Sequence, residues 1–125
     1  VAGAINTNGA EYNAYVSPDE SFIIFGGWRR DGNQGGGDLY LSRRSSMDLY
    51  ATPQHLDAPI NSDAIDYCPF VDIASNTLYF TSKRSQVGKE GMSYNTIELL
   101  YEALNQHENG ASRIYKVDIS SLLND

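Results

Sequence analysis

The sequence predicts an all-β chain of two antiparallel four-stranded sheet modules, the second interrupted by one helical insertion. Three observations carry that expectation. Ile5-Asn6-Thr7 recurs as Ile60-Asn61-Ser62, an offset of 60 − 5 = 55 positions, and Glu11-Tyr12, Val16 and Phe25 return at the same offset as Asp66-Tyr67, Val71 and Phe80. Such internal repetition redefines the fold question before any single element is considered. Nine Tyr, four Phe and eleven Gly among 125 residues favour strands joined by tight turns. Within each copy the apolar residues fall in strand-length runs separated by turn chemistry.

The elements follow in order. In the first copy, EYNAYVS (11–17), SFIIFGG (21–27) and DLYLSRR (38–44) read as three strands, with LYATPQHL (49–56) as a weaker fourth. In the second, DYCPFVD (66–72), TLYFTSK (77–83) and RIYKVDI (113–119) match the first three, and no fourth follows. Leu39-Tyr40 returns as Ile114-Tyr115, 75 positions on, so the second copy carries 75 − 55 = 20 extra residues. The modules are therefore set at 1–56 and 57–125, with the insertion at 85–111. Ser17-Pro18-Asp19-Glu20 and Ile73-Ala74-Ser75-Asn76 read as the first turns of each copy.

The second strand of each copy is apolar without alternation, as in Phe22-Ile23-Ile24-Phe25 and Leu78-Tyr79-Phe80. Both faces of each sheet are then expected to be covered. Hairpin-length connections exclude a parallel sheet, which needs long crossovers. Small antiparallel sheets stacked radially on like sheets, as in a β-propeller, satisfy both constraints.

The insertion holds the one helix the pattern predicts, Thr96 to about Gln106. Asn95 is expected to cap it, Glu98 to complete a capping box, and Asn109-Gly110 to end it. Ile97, Leu100, Tyr101 and Leu104 form one apolar stripe. That stripe is expected to pack on the chain's own rim rather than to recruit a partner.

These residues also resemble a known family. The pattern Glu-x-x-Pro-x-x-Ser-Pro-Asp-Gly, then apolar-x-Phe-x-Ser-x-Arg, then Gly-x-Asp-Ile-Tyr marks the WD40-like repeats of TolB-type propellers. Here it reads EYNAYVSPDESFIIFGGWRR…GGGDLYLS and DYCPFVDIASNTLYFTSKR…SRIYKVD, with Glu20 in place of the turn Gly and Arg113 in place of the Asp. The phrase APINSDAIDYCPF is similar to blade junctions of envelope proteins with such repeats. The resemblance implies a periplasmic, secreted or cell-envelope protein that serves as a protein-binding or glycan-binding platform. A minority of relatives are enzymes, either pectate-fragment lyases built on the propeller or peptidases with a separate catalytic domain.

Charge and motifs narrow the function classes. A net charge of −7, with Lys and Arg nowhere clustered beyond a doublet, argues against a nucleic-acid partner. No window reaches the apolar length of a membrane span. The single Cys68 excludes an internal disulfide and a Cys-based zinc cluster. DGNQGGGD (31–38) fails as a calcium loop, because position twelve from Asp31 is Ser42, and no Lys stands in P-loop spacing. A flexible loop is expected there.

Strand direction puts that loop and the insertion on one rim. Trp28, Arg29, Arg30, Asp31 and Arg84 are the binding candidates on it. Trp28 suits a sugar ring or a partner, and packing on the neighbouring loop is the plainer alternative. Glu11 with Arg30, and Asp66 with Arg84, are expected as structural ion pairs, since a blade-stabilising pair recurs where a catalytic residue does not. His55 and His107 show no triad, metal or lyase pattern, and neither G-x-S-x-G nor H-E-x-x-H occurs. No catalytic residue, metal or cofactor is expected. The expected function is a non-enzymatic, TolB-like scaffold. The alternatives are a glycan-processing lyase or hydrolase, and a self-assembling structural propeller. The remaining blades are expected either from other copies or from a segment upstream of Val1.

Overall fold

The computed structural model describes residues 4–89 and 93–124. Its order is β1 (Ala10–Val16), β2 (Phe22–Trp28), β3 (Asp38–Arg43), β4 (Gln54–His55), β5 (Asp66–Asp72), β6 (Thr77–Ser82), α1 (Ile97–Leu104), β7 (Arg113–Asp118) and α2 (Ser120–Leu123). The strands form two antiparallel sheets, one ordered β1-β2-β3-β4 and the other β5-β6-β7. The chain is thus mostly antiparallel β-structure.

The two sheets are built alike. Both first strands carry an irregularity, between Tyr12 and Tyr15 in β1 and between Tyr67 and Phe70 in β5. Each bulge contains one left-handed residue at the same repeat position, Asn13 (φ 49°) and Cys68 (φ 52°). The β1–β2 turn is held by Ser17, whose Oγ accepts from Phe22 N at 3.0 Å. Asp19 accepts from the backbone N–H and the hydroxyl of Ser21 and from Ser17, which holds its carboxyl down to about 2.

Packing explains the unalternating strand. One face of the first sheet (Phe22, Ile24, Leu39, Leu41) lies in a common core with Ile60, Val71, Leu78, Phe80 and Ile119 from the second half. The other face (Ile23, Phe25, Tyr40) is buried against Ile5, with Tyr50 at its edge. Each fully buried apolar side chain of this kind contributes roughly 1.5–3 kcal/mol. After β7 the chain turns at Ile119 into α2, which sends Leu122 and Leu123 back onto that core. The far face of the second sheet stays open, with Ile114 72 % exposed.

Several expectations are corrected. The fourth strand is not 49–56. Only Gln54 and His55 pair with β3, through Leu41 and Tyr40, and Tyr50 adds a single bridge to Arg44. Pro53 offers no N–H to extend the ladder. The helix begins one residue later than Asn95 allows: Thr96 is the cap, its Oγ1 accepting from Leu99 N at 3.2 Å. It ends at Asn105, and Asn109 reaches back to donate its side-chain amide to Leu104 O at 2.5 Å. The stripe does not pack on the rim, for no residue of α1 is buried.

The 31–37 loop is also fastened rather than loose. Asp38, fully buried, accepts from Gln34 N at 2.6 Å and Gly35 N at 3.1 Å. Gly36 N donates to Ala64 O at 3.0 Å, and Asp66 N to Gly37 O at 2.9 Å. These contacts stitch the first sheet to the entry of the second. A Cβ on Gly35 would stand 1.8 Å from Ala64 O, and one on Gly37 1.8 Å from the Tyr12 hydroxyl. The glycines serve this close approach.

Candidate functional site

The acids and arginines singled out by the repeat lie at the edge where each second strand ends. Glu11 in β1 stands beside the end of β2, and Arg30 meets it at 2.6 Å. Arg30 also donates to the carbonyls of Ile5 and Ala4, and its guanidinium lies over Phe25 and Tyr40 at 5.1 and 5.2 Å. Arg84 repeats the arrangement. It reaches Asp66 at 3.1 Å, donates to Ile60 O and Pro59 O at 2.5 and 2.9 Å, and lies over Phe80 and Tyr115. The aromatic pairs beneath are stacked alike, at 6.0 Å and 24° for Phe25–Tyr40 and 5.9 Å and 26° for Phe80–Tyr115.

Electrostatics follow from this packing. Burial works to raise the Glu11 carboxyl, but hydrogen bonds from Thr7 and Arg30 outweigh it and lower the group overall. The Tyr40 phenol is pushed up to about 12, by burial and then by the Asp38 carboxylate. Both arginines are committed to internal acceptors, with side chains 8 % and 16 % exposed. The donors of Arg30 and Arg84 face carbonyls and carboxylates of the chain itself.

A second polar cluster has no counterpart in the sequence reading. His55 Nε2 lies 2.7 Å from the buried Asp38, and Nδ1 lies 3.1 Å from Asp57. The Asn61 side chain accepts from Leu39 N at 2.7 Å and donates to Leu39 O at 2.8 Å, continuing the sheet where β4 stops. Both imidazole nitrogens are engaged by acids of the chain. His107 stands edge-on to Tyr115 at 5.0 Å, much as His55 stands to Tyr40 at 5.3 Å. Only topology brings these groups together. The one legible signal was Asp38 in the repeat pattern.

The free groups gather elsewhere on the rim. A depression of about 520 Å3 is walled by Thr7, Asn8, Arg29, Asp31, Tyr40 and Thr52, among others. Arg29 has φ 59°, a left-handed backbone that turns its side chain out while Arg30 turns in. Its guanidinium lies 4.3 Å from the Trp28 ring, which is 41 % exposed. Among the described residues Arg29 makes no ion pair. Of the rim candidates, Arg29, Arg30 and Asp31 line this depression, and Trp28 lies beside it against Arg29.

Among the described residues no group of three or more His, Cys, Asp or Glu side chains converges as metal ligands would. No described helix is long and apolar enough to cross a membrane. Comparison with protein-family models, with curated proteins and with solved structures finds no match to this chain.

Proposed function

We propose that the chain is a pair of stacked β-propeller blades of the WD40-like, TolB type, acting as a non-catalytic protein- or glycan-binding scaffold of the cell envelope. The observation that carries the binding reading is the rim depression. Its lining combines the Arg29 guanidinium, the Asp31 carboxylate and neutral hydrogen-bonding side chains, and the exposed Trp28 indole lies against Arg29 beside it. A mixed polar lining beside an aromatic face suits a sugar or a polar peptide segment. The propeller reading is supported by the arginine–aromatic stack that recurs in both sheets, and by the way one sheet's face buries the other's. Catalysis is disfavoured because Glu11, Asp66, Asp38 and His55 are each engaged by a structural partner.

The test is a glycan array together with a displayed peptide library, probed with the whole chain and with Arg29→Ala and Trp28→Ala. The scaffold reading expects hits lost in both variants while the melting temperature stays within about 1 °C, as for surface changes. Hits indifferent to both substitutions would remove the depression as the site, and turnover of an arrayed oligosaccharide would replace the scaffold with an enzyme.

A further inference from the structure

The insertion in the second sheet is built as a stalk with a helix at its end. Ser85 bridges Asn109, Gln86 N donates to Glu108 O at 2.9 Å, and the Gln86 side chain bonds Glu108 again at 2.9 Å. His107 anchors the returning limb on Tyr115, and Lys89 pairs with Asp63. Above this base stands α1, eight residues long and capped at both ends by Thr96 and Asn109.

What the stalk presents is apolar. Ile97, Leu100, Tyr101 and Leu104 are 64, 37, 61 and 42 % exposed. Their spacing of i, i+3, i+4 and i+7 puts them on one face. An isolated helix below about 12–15 residues is marginal in water, and its stability comes from docking an apolar face. Yet the chain supplies capping and a braced base for a face that none of the described residues buries.

We propose that this insertion is a recognition arm whose helix seats in an apolar, basic-rimmed groove of a second protein, the helix-in-groove mode. Charge selects the occupant. Residues 93–112 contain three Glu (Glu98, Glu102, Glu108) and no Lys or Arg. Glu98 borders the stripe beside Tyr101 on the helical wheel. A groove edged with Lys or Arg complements that face. Another copy of this chain would bring the same acidic arm to the contact, like charge against like. An anionic lipid surface would likewise repel it. The arm is separate from the depression at Arg29, and the proposal stands or falls independently of the scaffold reading.

The experiment replaces Tyr101 with p-benzoylphenylalanine in the full chain in its native cells, with Leu99, on the far side of the helix, as the control position. Irradiated adducts are mapped by mass spectrometry. Expected is one heterologous protein, crosslinked from position 101 and not from 99, through a segment that is apolar and carries Lys or Arg. With that protein purified, Leu100→Asp weakens binding by about tenfold or more, and Arg29→Ala leaves it unchanged. Adducts to a second copy, to phospholipid or equally from position 99 overturn the proposal, and so does the absence of any discrete adduct.

Discussion

Arg30 and Arg84 perform one task at two places: each turns back from the end of a central strand and closes the sheet edge. The guanidinium satisfies two carbonyls and an acid that would otherwise be short of donors, and it covers a stacked Phe–Tyr pair. Removing such a partner leaves Asp66, with no exposed side-chain surface, only its bonds from Ser62. Arg84→Met should therefore destabilise by about 3 kcal/mol, the usual cost of breaking a buried pair. Thermal unfolding checks this, and a melting temperature unchanged from wild type would contradict the structural role. The acid–arginine pairs were legible because both members recur in register and hairpin pairing sets them side by side. His55 with Asp38 was not, since a two-residue strand brings together groups 17 positions apart. The second copy, which shows no fourth strand among the described residues, offers no echo of it.

The strands are regular in period and were legible down to the turn residues. The bulges were not. A left-handed residue in the middle of a strand leaves no trace in an apolar pattern, and Asn13 and Cys68 share no side-chain chemistry. Asn tolerates φ near 50° and Cys does not favour it, the left-handed region costing most residues about 1–2 kcal/mol. Cys68 is exposed, so replacing it forfeits no packing. Cys68→Asn should then stabilise the chain by about 0.5–1 kcal/mol, and Cys68→Val should destabilise it by at least about as much. Denaturant midpoints decide, and a Val variant as stable as wild type would mean that the bulge is not held left-handed. The fourth strand was overread because Leu49 and Tyr50 look strand-like, whereas Pro53 and the Ser45–Leu49 turn limit the pairing to Gln54 and His55. The helix stripe reads as a face packed on the chain's own rim because an apolar helical face usually finds a neighbour, and sequence alone does not say whether it does.

At the scale of the whole molecule, the two sheets meet through a face of the first that is apolar throughout and a face of the second that is built to receive it. The second sheet's far side occupies the repeat positions of that same apolar face. Ile114 stands there for Leu39 and Tyr79 for Ile24, while Lys116 replaces Leu41 and Thr77 replaces Phe22. Among the described residues β7 also has no strand on its outer edge, and an open edge of this kind invites pairing. The stacking reading treats this side as an interface still to be filled, within a ring of about 4–8 sheets. Light scattering after size exclusion, run on the 125-residue chain and on Ile114→Lys, tests it most directly. Stacking predicts a folded chain that self-associates into closed rings, about three copies for six sheets or four for eight, and an Ile114→Lys variant that falls to the monomer. A well-folded monomer at all concentrations, indifferent to the substitution, would contradict it.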